Sequence, residues 1–185
     1  MVWAAASKLL SKLTGNTEGK ERAGDGLMKK KLNHADTGIP IGREDQPAPY
    51  NRWKAQNNDA FFSGAVDLPD GATLQWREYL WNGPTSIDEC EWGAVRWRFY
   101  SNGLVCFDAK MSNTSGRVDP GDVQGHRIEL REKKGLLLGV WVSGVFVKKS
   151  LPQRSFAASF MDQHELLKLH FSELDDNQDG AWVCL

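Results

Sequence analysis

The sequence predicts an all-β protein, a single antiparallel β-barrel or β-sandwich of about seven to nine strands behind an N-terminal arm. Beyond residue 60, apolar and polar side chains alternate in short runs, which is the period of a half-buried strand. Asn102-Gly103 separates two such runs, and Asn-Gly is the strongest short-range hairpin signal. Because no helical pattern of about 10–15 residues separates the runs, antiparallel pairing is favoured.

Residues 1–58 differ from the rest and are predicted to form the arm, with the β domain over residues 59–185. "SKLLSKLTG" has the spacing of a short amphipathic helix, and a flexible linker rich in Gly, charge and Pro follows it. Residues 1–35 carry seven basic and three acidic side chains, 7 − 3 = +4, although the whole chain has a net charge of −1. The arm, with its basic "MKKKLNH", is therefore suited to weak contact with an anionic membrane surface or to docking on a partner.

The β domain begins with two well-marked strands. In "TLQWREYLW" (73–81) the alternation predicts Leu74, Trp76 and Leu80 on the inner face, with Arg77 and Tyr79 outside. In "AVRWRFY" (94–100) it predicts Val95, Trp97 and Phe99 inside. The later strands are expected in "HRIELRE" (126–132), "LLLGVWVSGVFVKK" (136–149), "SFAASFM" (155–161), "ELLKLHFSEL" (165–174) and "AWVCL" (181–185). The overlapping segment "DQHELLKL" (162–169) is ambiguous, because it also fits a start as one helical turn.

The chain has three cysteines, Cys90, Cys106 and Cys184, and no CxxC pair, so a zinc site is not expected. If Cys90 and Cys184 pair, the bridge closes nearly the whole β region and stabilises it by roughly 4–5 kcal/mol in the chain-entropy model. In a reducing compartment all three would stay thiols. Cys106 alternates with Leu104 in a strand and is predicted to lie in the core.

One enzymatic alternative is a small hydrolase that uses Cys106, His126 and Asp122. Neither the cysteine nor the histidine lies in a recognised nucleophile motif, so we predict no catalytic site and keep this constellation as the alternative. His126 is expected simply to open the strand "HRIELRE" after the Gly-rich turn "DPGDVQG".

The segment "DDNQDG" (175–180) has the acidic and amide spacing of the first half of a calcium loop. An EF-hand loop would place its bidentate glutamate one residue past Leu185, and no flanking helices are predicted. We therefore predict a polar hairpin turn before the last strand, no metal and no cofactor. A weak metal site at Asp175, Asn177 and Asp179 is the alternative.

Two strand faces combine basic and aromatic side chains and are the candidate binding surfaces. The first holds Arg77, Tyr79 and Trp81, and the second holds Arg96, Arg98 and Tyr100. Such faces suit a planar ligand or a protein partner. The region beyond residue 35 carries a net charge of about −5, from −1 − (+4), so nucleic acid is not the expected partner.

No apolar run approaches the ~20 residues that span a membrane. Lys8 and Lys12 interrupt the N-terminal apolar stretch, which argues against a secretion signal. The compartment stays open between the cytoplasm and export by a signal-independent route.

The run "WRFYSNGLVCFDAKMSN", with "DEC" before it and "AWVCL" after it, resembles an uncharacterised family of small bacterial and fungal β domains. In that family a Cys precedes a W-x-[LF]-x-x-[DN]-G-x-x-x-F-D strand pair, and another Cys closes the chain. The matching positions are Cys90, Trp97, Phe99, Asn102, Gly103, Phe107, Asp108 and Cys184, within residues 88–185. The resemblance implies a calycin-like β fold and carries over no activity.

Together these observations favour a non-enzymatic recognition module that binds a protein, a glycan or a small apolar ligand. A component of a bacterial toxin, effector or immunity system fits a chain of this kind.

Overall fold

The structure, a computed structural model, describes residues 38–44, 53–114, 122–147 and 151–184. Within these ranges the chain forms two antiparallel β-sheets packed face to face. The sheets do not close on each other, so the all-β class is confirmed and the sandwich is the architecture formed.

The described residues contain eleven strands, more than expected. They are β1 (Gly38–Glu44), β2 (Trp53–Asn57), β3 (Ala60–Asp67), β4 (Thr73–Trp81), β5 (Thr85–Ile87), β6 (Cys90–Tyr100), β7 (Leu104–Asn113), β8 (Asp122–Arg131), β9 (Leu137–Val147), β10 (Leu151–Met161) and β11 (Asp179–Cys184). One sheet has five strands in the order β1-β9-β8-β11-β2. The other has six strands. Five follow the order β10-β7-β6-β4-β3, and β5 pairs with the first three residues of β6, 90–92.

Two strands lie in the segment that the sequence assigned to the arm. β1 pairs with β9 and β2 pairs with β11, so both belong to the five-stranded sheet. The chain divides between Lys31 and Leu32 instead, and the described elements all fall in the unit Leu32–Leu185. The five-stranded sheet therefore includes two strands from the segment that the sequence assigned to the arm. In β1 the Gly and Pro residues, which an edge strand tolerates, weaken the strand signal. The predicted helix in "SKLLSKLTG" and the basic "MKKKLNH" lie outside the described residues.

The predicted reversal at Asn102-Gly103 is present between β6 and β7. Gly103 has a φ of +92°, and its N–H donates to Tyr100 O at 2.9 Å. The loop spans three residues, 101–103, and Asn102 does not share the positive φ. Its side-chain oxygen instead accepts a hydrogen bond from the Leu104 N–H at 3.0 Å. This is a three-residue hairpin loop with one left-handed glycine, rather than the two-residue turn that the sequence suggested.

The segment "ELLKLHFSEL" is helical, so the predicted strand is wrong and its helical alternative is correct. It forms α1 (Glu165–Leu169) and a 3-10 turn (Phe171–Glu173). Leu167, Phe171 and Leu174 are buried against the core, whereas Leu169 is 73% exposed. The buried positions follow a helical spacing. A short apolar run such as this one fits both the helical period and the alternation of a strand, which explains the wrong prediction.

The interior of the sandwich is filled by aromatic side chains from both sheets. Phe99 meets Trp141 with ring centroids 5.0 Å apart, and Trp97 meets Phe107 at 4.8 Å. Among the side chains that the structure describes, five indoles are fully buried: Trp81, Trp92, Trp97, Trp141 and Trp182. An interior packed with such large rings leaves the strand faces, rather than the core, as the candidate binding surface.

Two links join the sheets at one end of the sandwich. Cys90 on β6 and Cys184 on β11 form a disulfide, which is the pairing that the sequence analysis considered. Beside it, the buried Gln124 of β8 donates from Nε2 to Glu91 O at 2.8 Å and to Ser112 O at 3.0 Å. Both links fix how the five-stranded sheet lies against the six-stranded one.

Among the residues that the structure describes, no helix has the length and hydropathy needed to cross a membrane.

Candidate functional site

The outward face of the six-stranded sheet carries the best candidate surface, which we call the platform. The strand register places Phe62, Glu78 and Arg98 in one row across β3, β4 and β6, and Trp76 and Tyr100 in the next row. Directly paired residues of neighbouring antiparallel strands share a face, so these side chains project to the same side. The platform consists of Phe62, Trp76, Glu78, Arg96, Arg98 and Tyr100.

Glu78 is the centre of the platform, and the sequence did not single it out as functional. Its side chain is 8% exposed and bonds two arginines of β6. Arg96 Nε lies 3.2 Å from Glu78 Oε1, and Arg98 donates to Oε2 from Nε at 2.7 Å and from its NH2 group. Because one carboxylate orients two guanidinium groups, both arginines are presented in fixed positions.

The electrostatics of Arg98 reflect this contact. Partial burial acts to lower the pKa of the guanidinium, but the hydrogen bonds to Tyr100 and Glu78 and the charge of Glu78 outweigh it. The pKa of Arg98 therefore lies above its ordinary value. Arg98 also donates to Tyr100 OH at 3.4 Å, which connects the ion pair to the next row of the platform.

Trp76 forms the aromatic part of the platform. The Arg98 guanidinium carbon lies 4.8 Å from the centroid of its ring, a cation–π contact. On the neighbouring strand, a Cβ added to Gly64 would stand 2.5 Å from the indole, so the ring lies closely over this glycine. The sequence prediction that Trp76 faces the interior is wrong.

The apolar part of the platform continues along β3. Phe62 is 47% exposed and Val66, four residues on, is 40% exposed. Both belong to the same strand face, since their separation is even. Together with Trp76 they give this side of the sheet an exposed apolar strip beside the ion-paired arginines.

The other predicted binding face, Arg77, Tyr79 and Trp81, points into the sandwich instead. Tyr79 and Trp81 are 0% exposed, and the Trp81 Nε1 donates to Gln56 O at 3.0 Å. Arg77 lies at the rim, where it donates to Leu174 O at 3.1 Å and to Ser172 O at 3.0 Å. Both alternating sets of β4 contain aromatic residues, Trp76 in one and Tyr79 and Trp81 in the other, so hydrophobicity did not reveal which set is buried.

Burial also accounts for the chemistry of Tyr79. Its hydroxyl donates to Asp175 O at 2.9 Å, and desolvation raises the pKa of the phenol above its ordinary value. A phenol held neutral and bonded to a backbone carbonyl has a structural role rather than a binding one.

The structure does not assemble the Cys106, His126 and Asp122 constellation. Cys106 pairs with Arg98 and Ser159 across the six-stranded sheet and faces outward with the platform, not into the core. His126 is completely buried between the sheets. The nucleophile and base therefore lie on opposite sides of the six-stranded sheet, and the side chain of Asp122 lies outside the described residues. Burial raises the pKa of the Cys106 thiol, against the opposing charge of Arg98, which disfavours a thiolate.

His126 is enclosed by three indoles. The Trp97 Nε1 donates to its Nδ1 at 2.9 Å, and the rings of Trp81 and Trp182 lie 4.7 and 5.0 Å from it by centroid. Because Nδ1 accepts, Nε2 carries the proton and the ring is neutral. Burial lowers the pKa of His126 to about 3, so this histidine is not a base that titrates near neutrality.

The segment "DDNQDG" is a polar turn but not part of a hairpin, since it leads from the 3-10 turn into β11, whose partners are β8 and β2. Asp175 Oδ1 accepts the N–H of Asn177 at 3.0 Å, and Asp179 begins β11. Within the described ranges no group of three acidic, His or Cys residues has the geometry of a metal site. The buried Gln178 anchors the turn, donating to Arg131 O and to Asp175 O, both at 2.8 Å.

No protein-family model, curated protein or solved structure matches this chain. The resemblance to small bacterial and fungal β domains thus stays a prediction.

Proposed function

We propose that the chain is a non-enzymatic recognition module that binds a partner protein through the platform. The observation that carries this proposal is the arrangement around Glu78, where one nearly buried carboxylate holds Arg96 and Arg98 beside Trp76. Arginine and aromatic side chains are the types most enriched in the energetic centres of protein interfaces.

The side chains of the platform are ordered before any partner arrives. Arg98 is bonded to Glu78 and Tyr100 and stacked on Trp76, whereas Arg96 remains 43% exposed next to them. A partner therefore meets guanidinium groups whose side-chain freedom is already reduced, which lowers the entropic cost of binding.

The shape of the surface supports a protein over the two other ligand classes. A sheet face is broad and open, whereas small apolar ligands need a cavity, and the core between the sheets is packed with buried indoles. A glycan would stack on an exposed aromatic ring. Here Arg98 already occupies one face of Trp76, so a sugar ring would have to displace it or use Phe62. The setting of a toxin, effector or immunity system stays a prediction from the sequence.

The test uses the full-length chain, immobilised and exposed to an extract of the cells that produce it. The captured protein is then purified and titrated against the native chain and against Arg96→Ala and Trp76→Ala variants. We expect each substitution to weaken binding by about tenfold or more. Leu136→Ala, at a residue 47% exposed outside the platform, is the matched control and should bind like the native chain.

Three outcomes would contradict the proposal. Binding that is unchanged in both platform variants would place the contact elsewhere. Binding to an immobilised glycan set, lost with Trp76→Ala, would replace the protein partner by a sugar. If the logarithm of the binding constant fell steeply and linearly with the logarithm of the salt concentration, the ligand would be nucleic acid instead.

A further inference from the structure

The strand at one edge of the six-stranded sheet, β3, lacks the features that normally keep sheet edges apart. An edge strand exposes unpaired backbone N–H and C=O groups, and natural sheets blunt such edges with proline, bulges, charge or short length. β3 has the sequence AFFSGAVD, with no proline and no basic residue. Its eight residues pair with β4 from Ala60 to Asp67 without a shift in register.

The other edges of the two described sheets carry these protections. β1 contains Pro40 and has a register shift between Ile39 and Gly42. β10, the opposite edge of the six-stranded sheet, contains Pro152 and has a shift between Leu151 and Arg154. β2 is five residues long. Among the sheet edges that the structure describes, β3 is therefore the one best suited to pair with another strand.

From these observations we infer that β3 pairs with β3 of a second copy of this chain, antiparallel and across a twofold axis. The pairing extends the six-stranded sheet through both molecules. It goes beyond the proposed function and does not depend on it, because the pairing uses the backbone edge of β3 and not the arginines of the platform. Phe62 and Trp76 belong to both surfaces.

The sequence of β3 fits itself best when Gly64 lies at the axis. In this register Phe62 of one copy is opposite Val66 of the other, and the twofold axis repeats the pair. Phe62 and Val66 are 47% and 40% exposed in the single chain, so both pairs bury apolar surface. Moving the axis to Ser63 would set Asp59 against Asp67, carboxylate opposite carboxylate, in both halves. Moving it to Ala65 would set Val66 opposite Gly64 and lose the apolar pair.

The small side chains around the axis permit close approach. Gly64 has no side chain, and Ser63 and Ala65 on either side are small and exposed. The Trp76 indole already lies over Gly64, so two copies of this ring would come together on the outer face above the axis. A single strand pair with two apolar contacts is a small interface, which predicts a weak dimer with a dissociation constant of roughly 1 μM or higher.

Sedimentation analysis of the full-length native chain, from about 1 μM to about 1 mM, measures this association directly. We expect a reversible monomer–dimer equilibrium. Val66→Lys sets a charge opposite Phe62 and should raise the dimer dissociation constant by about tenfold or more. Leu169→Lys places the same charge at a residue 73% exposed on α1 and should leave the constant unchanged. A monomer over the whole range, or equal constants for all three proteins, would overturn the inference.

Cross-linking tests the register independently of any destabilisation by lysine. With Gly64 on the axis, residue 63 of one copy lies opposite residue 65 of the other. On a Cys106→Ser background, a mixture of Ser63→Cys and Ala65→Cys proteins should form a disulfide-linked heterodimer under mild oxidation. Neither variant should cross-link efficiently alone. Cross-linking of Ser63→Cys alone would overturn this register, and none in the mixture would overturn the pairing.

Discussion

The indole Nε1 of Trp97, on the six-stranded sheet, donates a 2.9 Å hydrogen bond to Nδ1 of His126, on the five-stranded sheet. Both side chains are 0% exposed, so the bond crosses the centre of the sandwich away from water. The neighbouring rings of Trp81 and Trp182 are uncharged and give a protonated imidazole no counter-ion. The fold is thus built around a histidine that must stay neutral.

Acid should destabilise the protein through His126. The pKa of the folded imidazole is about 3, below its ordinary value of 6.5, so the unfolded chain binds a proton that the folded chain does not. The stabilisation is complete above about pH 6.5 and is lost as the pH falls towards 3, by up to roughly 5 kcal/mol. Urea denaturation between about pH 7.5 and 4.5 measures this loss as a fall in the free energy of unfolding.

A His126→Leu variant separates this effect from the titration of carboxylates, which both proteins share. The stability difference between native protein and variant should shrink by about 1.4 kcal/mol per pH unit below pH 6. Leu136→Ala, at an exposed residue that does not titrate, should keep the native slope. Parallel curves for native protein and His126→Leu would show that the folded state binds the His126 proton as readily as the unfolded chain does, so that burial does not lower its pKa.

Trp97 and His126 should be energetically coupled. Trp97→Phe removes the donor and leaves Nδ1 buried without its partner, whereas His126→Leu leaves the indole N–H without its acceptor. In a double-mutant cycle the combined variant should lose less stability than the sum of the single variants, by about 1–3 kcal/mol. Additive losses would mean that packing alone, and not the hydrogen bond, holds this pair together.

The hairpin at Gly103 should be intolerant of any side chain. Its φ is +92°, and a Cβ there would stand 2.0 Å from Asp162 O. Asp162 lies this close because its N–H donates a hydrogen bond to Gly103 O. Gly135 is the matched control, since its φ is +91° and nothing lies within 4 Å of the added Cβ. We expect Gly103→Ala to cost about 1–3 kcal/mol more than Gly135→Ala in urea denaturation. Equal costs would indicate that the backbone conformation alone decides the outcome.

The contrast between β4 and β6 shows what the sequence could predict. On β6, arginines alternate with Val95, Trp97 and Phe99, so charge identified the buried face correctly. On β4 both alternating sets contain aromatic residues, and hydrophobicity could not choose between them. The decision comes from pairing, since Tyr79 is opposite Trp97 and must share its face. Assuming that these two strands pair would have corrected the prediction.

Only the β6 part of the platform was predicted, because the sequence assigned the two faces of β4 the wrong way round. Arg96, Arg98 and Tyr100 lie on it as an outward strand face, but Trp76 and Glu78 come from the strand whose faces were exchanged. The pairing of Glu78 with Arg98 depends on a register that the sequence does not specify. His126 was recognisable as inward-facing from its alternation with Ile128 and Leu130, although its Trp97 donor belongs to the other sheet.

The disulfide between Cys90 and Cys184 should make a large contribution to stability, because it joins the two sheets across 94 residues of sequence. In the double variant Cys90→Ala/Cys184→Ala we expect a loss of about 2–5 kcal/mol, since the unfolded chain regains the freedom of a long closed loop. Cys106→Ala is the matched control. It removes the unpaired cysteine from the outer face and should cost less than about 1 kcal/mol. Urea denaturation with and without a reductant makes the comparison: the reductant should destabilise the native protein and Cys106→Ala but leave the double variant unchanged. A native protein insensitive to the reductant, with a double variant of equal stability, would mean that Gln124 and the packed indoles hold the sheets together without the bridge.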